Sequence, residues 1–175
     1  AAYCGVVGFK PTLDLVPFGG VAVFSPTFDT VGTFTRSVAD AAIVAHALAP
    51  AIARDVTPRA RPPRLAYVDR FPWTGAVDDG GALESAAATL RAAGADVVPV
   101  AFPDALEALR EVQRTIMLGE AARAMGPLQD RERARFSATL NAGLDEGRTI
   151  GDEALAKAHA SRRAMIAGAI AWLAS

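Results

Sequence analysis

Nucleophilic catalysis needs a serine, cysteine or lysine held beside a base. The sequence offers one cysteine, Cys4, and two lysines, Lys10 and Lys157. Its serines are Ser25, Ser37, Ser85, Ser137, Ser161 and Ser175. None of these sits in a G-x-S-x-G elbow, the strained turn that exposes a hydrolase nucleophile. Cys4 lies in an apolar stretch, which would raise a thiol pKa and leave it inert, so a buried packing role is expected. Metal chemistry fares no better. His46 and His159 are far apart in sequence and neither lies near Cys4, so each is expected to pack or face solvent, and no metal site is expected. "CGVVGF" has two glycines three apart, not the G-x-G-x-x-G of a dinucleotide site, and no Walker loop occurs. Read alone, these residues make no complete active site.

The elements that would position them follow from periodicity and punctuation. Tyr3 to Phe9 reads as a short buried strand, ended by Lys10-Pro11-Thr12. Residues 13–35 are rich in Gly, Pro and Thr and read as an ordered loop, with a short strand at Val21 to Phe24. Ser37 is placed to cap a helix to about Leu48, with Asp40 near its positive end. Residues 49–63 hold Pro50, Pro58, Pro62 and Pro63 and read as a linker. A strand at Leu65 to Asp69, a helix capped by Asp78 and stopped by Gly94, and a strand at Asp96 to Val100 make a βαβ unit. It should be parallel and right-handed. From Pro103 the pattern is helical. Leu106, Leu109, Val112, Ile116 and Met117 form one stripe that Gly126-Pro127 should end, and helices follow at about 131–145 and 152–174. The fold class is therefore α/β with a helical second half. The expected segments are 1–48, a linker at 49–63, a βαβ unit at 64–101 and a helical region at 102–175.

The 175 residues are 51% hydrophobic and 21% charged, a globular composition long enough to bury a core. A net charge of −1 gives no basic surplus for nucleic acid or acidic lipid. The longest apolar run, Ala164 to Ala174, is too short to cross a bilayer. A single cysteine precludes an intrachain disulfide and, with no leader-like segment, points to the cytoplasm.

Two stretches say more. "AAYCGVVGFKPT" and "FDTVGTFTRSVADAA" occur in this order with a short Gly/Pro loop between them. They resemble the amidase signature family, which hydrolyses carbon–nitrogen amide bonds. The family's first motif is Ala-x-Cys/Asn-Gly-x-x-Gly-x-Lys-Pro-Thr. Its second is Ser/Thr-x-Asp-x-x-Gly followed by Arg-x-Val-x-Asp-x-Ala, here Thr27, Asp29 and Gly32, then Arg36, Val38, Asp40 and Ala42. "FPWTGAVD", "AAATLRAAGADVVPV" and "RTIMLGEAARAMG" are similar to bacterial amidases, so the resemblance covers most of the chain. Thr33 stands where the family usually has Pro, which should alter a local turn. Gly80-Gly81 departs from the better helix formers usual there, at a cost of roughly 1 kcal/mol each if both are helical.

The resemblance implies a fragment of the amidase signature fold, a mixed sheet flanked by helices. It also implies a serine nucleophile, a second serine on a cis peptide and a lysine, none of them in this chain. All three would lie upstream of Ala1, and further parts of the same polypeptide both upstream and downstream are implied. Lys10 matches the Lys-Pro-Thr element instead of the catalytic lysine, and Lys157 reads as a residue on a polar helix face. No metal or organic cofactor is implied. The implied partner is a small-molecule amide, with no nucleic acid or membrane, and a homodimer is left open. Asp29, Thr30, Arg36 and Asp40 are expected to support the active site structurally, Asp29 by capping a turn and Arg36 with Asp40 by a salt bridge or cap. In the family, the helix ending in Glu-Ala faces the substrate, so with Glu120-Ala121 here the pocket candidates are Thr115, Met117, Leu118 and Gly119. Gly119 could leave room for a ligand or for a packed neighbour. A non-catalytic scaffold or binding subunit that keeps the fold is the alternative. The substrate's amide class is open.

Overall fold

The computed structural model describes residues 1–52, 61–76 and 81–174. They fall into two compact units. One is drawn from residues 1–52 and 111–161, the other from 61–76, 81–110 and 162–174.

In the first unit, β1 (Val7–Phe9) pairs antiparallel with β2 (Thr33–Thr35), with Val7 opposite Thr35 and Phe9 opposite Thr33. Gly32 precedes β2 because nothing larger fits there: a Cβ would lie 2.6 Å from the Phe9 carbonyl oxygen. Helix α1 (Val38–Leu48) packs on this pair. The Ser37 side chain caps the helix, accepting from the Asp40 N–H at 3.0 Å, and its inner face buries Ala41 and Ala45. The strand expected at Tyr3 to Phe9 is shorter. Residues Ala2–Cys4 form a 3-10 turn whose exit, Gly5, has φ 61°, and Cys4 is exposed, not buried. The cause is local: the Cys4 and Gly5 N–H groups turn back to the carbonyls of Ala1 and Ala2 and cannot enter a ladder.

Residues 10–32 form loop and turns, and the 111–161 part of this unit is mostly helical. Helix α3 (Leu109–Glu132) runs through Gly126-Pro127, which were expected to end it. Tertiary ties override the proline's helix-breaking cost. Gly126 and Gln129 are buried, and the Arg148 guanidinium donates to the Gly126 carbonyl at 3.0 Å and to Gln129 Oε1 at 3.1 Å. A 3-10 turn (Arg133–Arg135) then leads to α4 (Ala138–Arg148), capped by Ser137 through the Leu140 N–H, so this helix starts later than the expected 131. Helix α5 (Asp152–Ala174) contributes residues 152–161 here and 162–174 to the second unit. Ile116 on α3 and Leu144 on α4 are fully buried.

In the second unit, β3 (Arg64–Tyr67) and β6 (Asp96–Pro99) pair in parallel, Leu65 opposite Val97, with α2 (Ala82–Ala92) between them in sequence. Gly94, at φ 91°, ends α2, and the Ala95 N–H closes on the Leu90 carbonyl at 2.9 Å. Gly81 is the residue before the helix, with φ 82°, so it escapes the helix-interior penalty expected of it. The cap expected at Asp78, its neighbour Gly80 and residues 53–60 of the expected linker lie outside the described residues. A hairpin of β4 (Arg70–Phe71) and β5 (Gly75–Ala76) presents Phe71 and Trp73, stacked at 5.6 Å, with the Phe102 ring edge-on to both.

One buried polar atom in the first unit lacks a partner among the described residues. The Thr33 hydroxyl is shielded from solvent with nothing to bond. Thr33→Val keeps the shape and removes the unsatisfied group, so it should stabilise the chain by about 1 kcal/mol, read as a raised urea midpoint at unchanged slope.

Candidate functional site

The 24–29 turn is where the second motif becomes three-dimensional. Val21 to Phe24 forms no strand because its backbone is spoken for elsewhere. The Asp29 carboxylate accepts from the Phe24 N–H at 2.6 Å and the Ser25 N–H at 2.9 Å through one oxygen. The Phe28 and Asp29 N–H groups return to the Ser25 carbonyl at 3.0 and 2.8 Å. Asp29 thus closes the turn across its mouth, as an Asx side chain does when it replaces a ladder partner.

The turn is then gripped from α3. Glu120 lies on the helix side of the turn with its side chain only 12% exposed. Its Oε2 accepts from Ser25 Oγ at 2.6 Å and from the Thr27 N–H at 3.0 Å, and its Oε1 accepts from Thr27 Oγ1 at 2.5 Å. His159 of α5 approaches Oε1 with Nε2 at 3.4 Å. Ser25 is 1% exposed, so its hydroxyl has no water to turn to. Burial pushes the Glu120 carboxyl up, but the Ser25 and Thr27 hydrogen bonds and the neighbouring His159 outweigh it and hold the pKa below its ordinary value. A carboxylate so lowered is a poor proton acceptor. Its chemistry here is that of a fixed anion that grips three donors, not that of a general base.

A pH dependence follows from that lowering. The folded pKa lies below the unfolded one, so the clamp's contribution is full above the ordinary value of 4.5 and is lost as pH falls through the folded pKa. Acid unfolding of the chain should therefore weaken in Glu120→Gln. Stability measured by urea from pH 7 down to pH 3 should fall less steeply in that variant than in the wild type. Parallel curves would contradict the lowered carboxyl.

The remaining expected site residues are distributed as follows. Thr30 lines a cleft of about 320 Å³ together with Phe9, Lys10, Gly32 and Phe34. Arg36 and Asp40 are exposed, and among the described residues no ion pair joins them. Arg36 precedes the extended Ser37 cap and is outside the helix, so the i,i+4 geometry of the expected pair does not arise. On α3, Thr115 and Met117 are half-buried, and Gln113 Nε2 reaches Met117 Sδ at 3.2 Å. Leu118 and Gly119 are buried. The space beside Gly119 is taken by Leu155 and Ile150, whose atoms stand 3.3 and 3.4 Å from where a Cβ would be. Lys10, just past β1, donates to the Pro11 carbonyl at 2.7 Å, and His46 Nδ1 meets the Ile52 carbonyl at 2.8 Å. Among the described residues no group of three or more His, Cys, Asp or Glu side chains could hold a metal ion, and no helix is long and apolar enough to cross a membrane.

Sequence reasoning used Glu120 only as half of a Glu-Ala pair and passed over Ser25. The signal was there in part: Thr27 belongs to the second motif and Glu120 to a later one, and the structure joins them across 93 residues.

The family model for amidases matches residues 1–165. Among curated proteins, a glutamyl-tRNA(Gln) amidotransferase subunit from Anaeromyxobacter dehalogenans is 37% identical over 118 residues, covering 59% of this chain and 24% of that protein. The chain thus spans about a quarter of the length of the curated relatives it matches. Among solved structures, an amidase superposes with a TM-score of 0.80 at 26% identity, over 95% of this chain and 38% of that one. A 6-aminohexanoate cyclic dimer hydrolase, solved with substrate, superposes at 0.75 with 22% identity over 97% of this chain and 41% of its own, a likeness of fold alone.

Proposed function

The chain belongs to the amidase family, and from this we propose that it forms part of an enzyme hydrolysing a carboxylic amide C–N bond. The observation that carries the reading is the match over residues 1–165. The geometry supports it: the first and second motifs meet in the β1–β2 pair, and the later Glu120 motif grips the second.

The chemistry proposed is serine acyl transfer. A serine nucleophile, a cis-peptide serine and a lysine are supplied by sequence upstream of this chain. The lysine takes the nucleophile's proton through the second serine, and the serine oxygen attacks the amide carbonyl. Backbone N–H groups hold the oxyanion, and the C–N bond breaks as the amine leaves with a proton. Water then cleaves the acyl ester to release the acid and restore the serine. This chain's part is scaffold: the β1–β2 pair leading away from the nucleophile segment, and on α3 the half-buried Thr115 and Met117 as contributors to the acyl pocket, whereas Leu118 and Gly119 are packed against neighbours. The substrate is a small-molecule amide.

The test is a panel of aliphatic, aryl and peptide amides offered to the full-length polypeptide, beside a control whose upstream nucleophile carries Ser→Ala. Hydrolysis is expected, falling on the order of 10³-fold or more in the control. Equal turnover by the control would refute the serine mechanism.

A further inference from the structure

Resting on the reading of the chain as part of an amide hydrolase, we propose that Glu120 is a positioning residue for that reaction, fixing the Ser25–Asp29 turn and, through it, strand β2 against β1.

The path is continuous within one unit of the fold. Glu120 grips both Ser25 Oγ and the Thr27 backbone and hydroxyl, which sets the turn's place and its tilt. Asp29 ties the end of the same turn to its start at Phe24 and Ser25. Three residues on, Gly32 lies so close to the Phe9 carbonyl that the chain has no slack there. Thr33 then pairs with Phe9, and Gly8 with Phe34. A shift of the turn therefore has to displace β2 or part it from β1. In the proposed enzyme, the nucleophile's segment precedes Ala1, and residues 1–6 join it to β1.

Packing alone does not call for a carboxylate here. A well-packed apolar side chain in place of a largely buried ion is often as stable, because the desolvation cost of the charge is avoided. What an apolar residue cannot do is fix direction. Two oxygens accepting from three donors on two residues define one orientation of the turn, and His159 at 3.4 Å borders the open side of Oε1. Glu120 touches no reacting atom in this scheme. It acts through the turn, and the reaction feels it as geometry, where a misplacement of about 1 Å costs roughly 10²-fold in rate.

The experiment uses the full-length polypeptide with Glu120→Ala and Glu120→Gln, each assayed well below its own unfolding temperature. In Glu120→Ala, kcat on an amide that the wild type turns over should fall about 100-fold with KM within about threefold, and Glu120→Gln should lose about tenfold, since it keeps the shape and part of the grip. Amide hydrogen exchange of residues 24–35 should quicken at least about tenfold in Glu120→Ala while that of the α3 core stays as in the wild type. A folded Glu120→Ala protein with kcat near the wild-type value, or with unchanged exchange over 24–35, would overturn the proposal. If Glu120→Ala does not fold, Glu120→Gln carries the same two comparisons. A wild type inert on every amide would sink the functional reading by itself, and the exchange measurement would still decide whether Glu120 holds the turn.

Discussion

Gly147→Ala is expected to destabilise the chain by about 3 kcal/mol or more, an unusual outcome for a glycine inside a helix. In an exposed helix interior the same change stabilises by up to about 1 kcal/mol, because alanine loses less backbone entropy. Here the sign reverses. A Cβ at 147 would stand 2.1 Å from the Leu118 carbonyl oxygen, 2.8 Å from its carbonyl carbon and 2.9 Å from the Ala122 methyl. Two of these three are backbone atoms of α3, which no rotamer change can clear. Helices α3 and α4 would have to part, and the fully buried Ile116 and Leu144 would lose contacts with them. Overpacking of a core usually costs about 1–3 kcal/mol and more where backbone must move. Gly143→Ala supplies the internal control. It lies one turn earlier on α4, and its new methyl would meet Leu118 Cδ2 at 3.5 Å, an ordinary contact. Urea midpoints should move in opposite directions for the two variants. Equal midpoints would mean that the helices do not cross as closely as described.

That crossing also shows which features the sequence carried openly and which it hid. Elements set by local rules were legible. Ser37 caps α1 as its side chain predicts, Gly94 stops α2, and two apolar runs around that helix pair in parallel. What failed was decided by a partner distant in the chain or by local turn geometry that apolar pattern and spacing do not record. Pro127 should break a helix on local grounds, yet Arg148, 22 residues from the carbonyl it binds, helps hold the turn around it. Cys4 reads as strand because its neighbours are apolar, but a left-handed Gly5 ends a 3-10 turn there instead. Arg36 and Asp40 have helical spacing without sharing the helix.

The candidate site divides in the same way. Asp29 as the closure of a turn followed from its type and place, since Asp bonds nearby backbone N–H groups. The grip of Glu120 on that turn could not follow, because its partners are 93 and 95 residues away and hydrophobic periodicity records only which face of a helix is apolar. For the same reason the space beside Gly119 stayed ambiguous between a ligand and a neighbour until Ile150 and Leu155 were seen to fill it.

Gln129 is a second place where a distant network outweighs local pattern, and Gln129→Leu should cost about 2–3 kcal/mol. The residue is 0% exposed near the C-terminal end of α3, a position that pattern alone would give to an apolar side chain. Its amide nitrogen donates to Asn141 Oδ1 and to Asp145 Oδ1, both at 3.1 Å, and its oxygen accepts from Arg148 Nε at 3.1 Å. It therefore joins three residues of α4 to α3, and every polar atom of the amide is used. Leucine has the volume but takes away the partner of Arg148 Nε and of Asn141 Oδ1, each in a partly buried hydrogen bond, which is the costly half of a lost hydrogen bond. Gln129→Glu separates the hydrogen bonds from the packing. At neutral pH the introduced carboxylate would face Asp145, whose own carboxyl is already held below its ordinary value, chiefly by the Arg133 hydrogen bond. Burial at this fully enclosed position and the like charge of Asp145 raise the newcomer's folded pKa against the lowering pull of Arg148, so the variant's penalty should be full at high pH and relax on acidification. Once protonated, the introduced group can donate to Asp145 as the amide does. Urea denaturation at pH 8 and pH 5 should show the Gln129→Glu deficit shrinking while that of Gln129→Leu stays constant. A Gln129→Leu deficit near zero would mean that Gln129 matters for its volume and not for its amide.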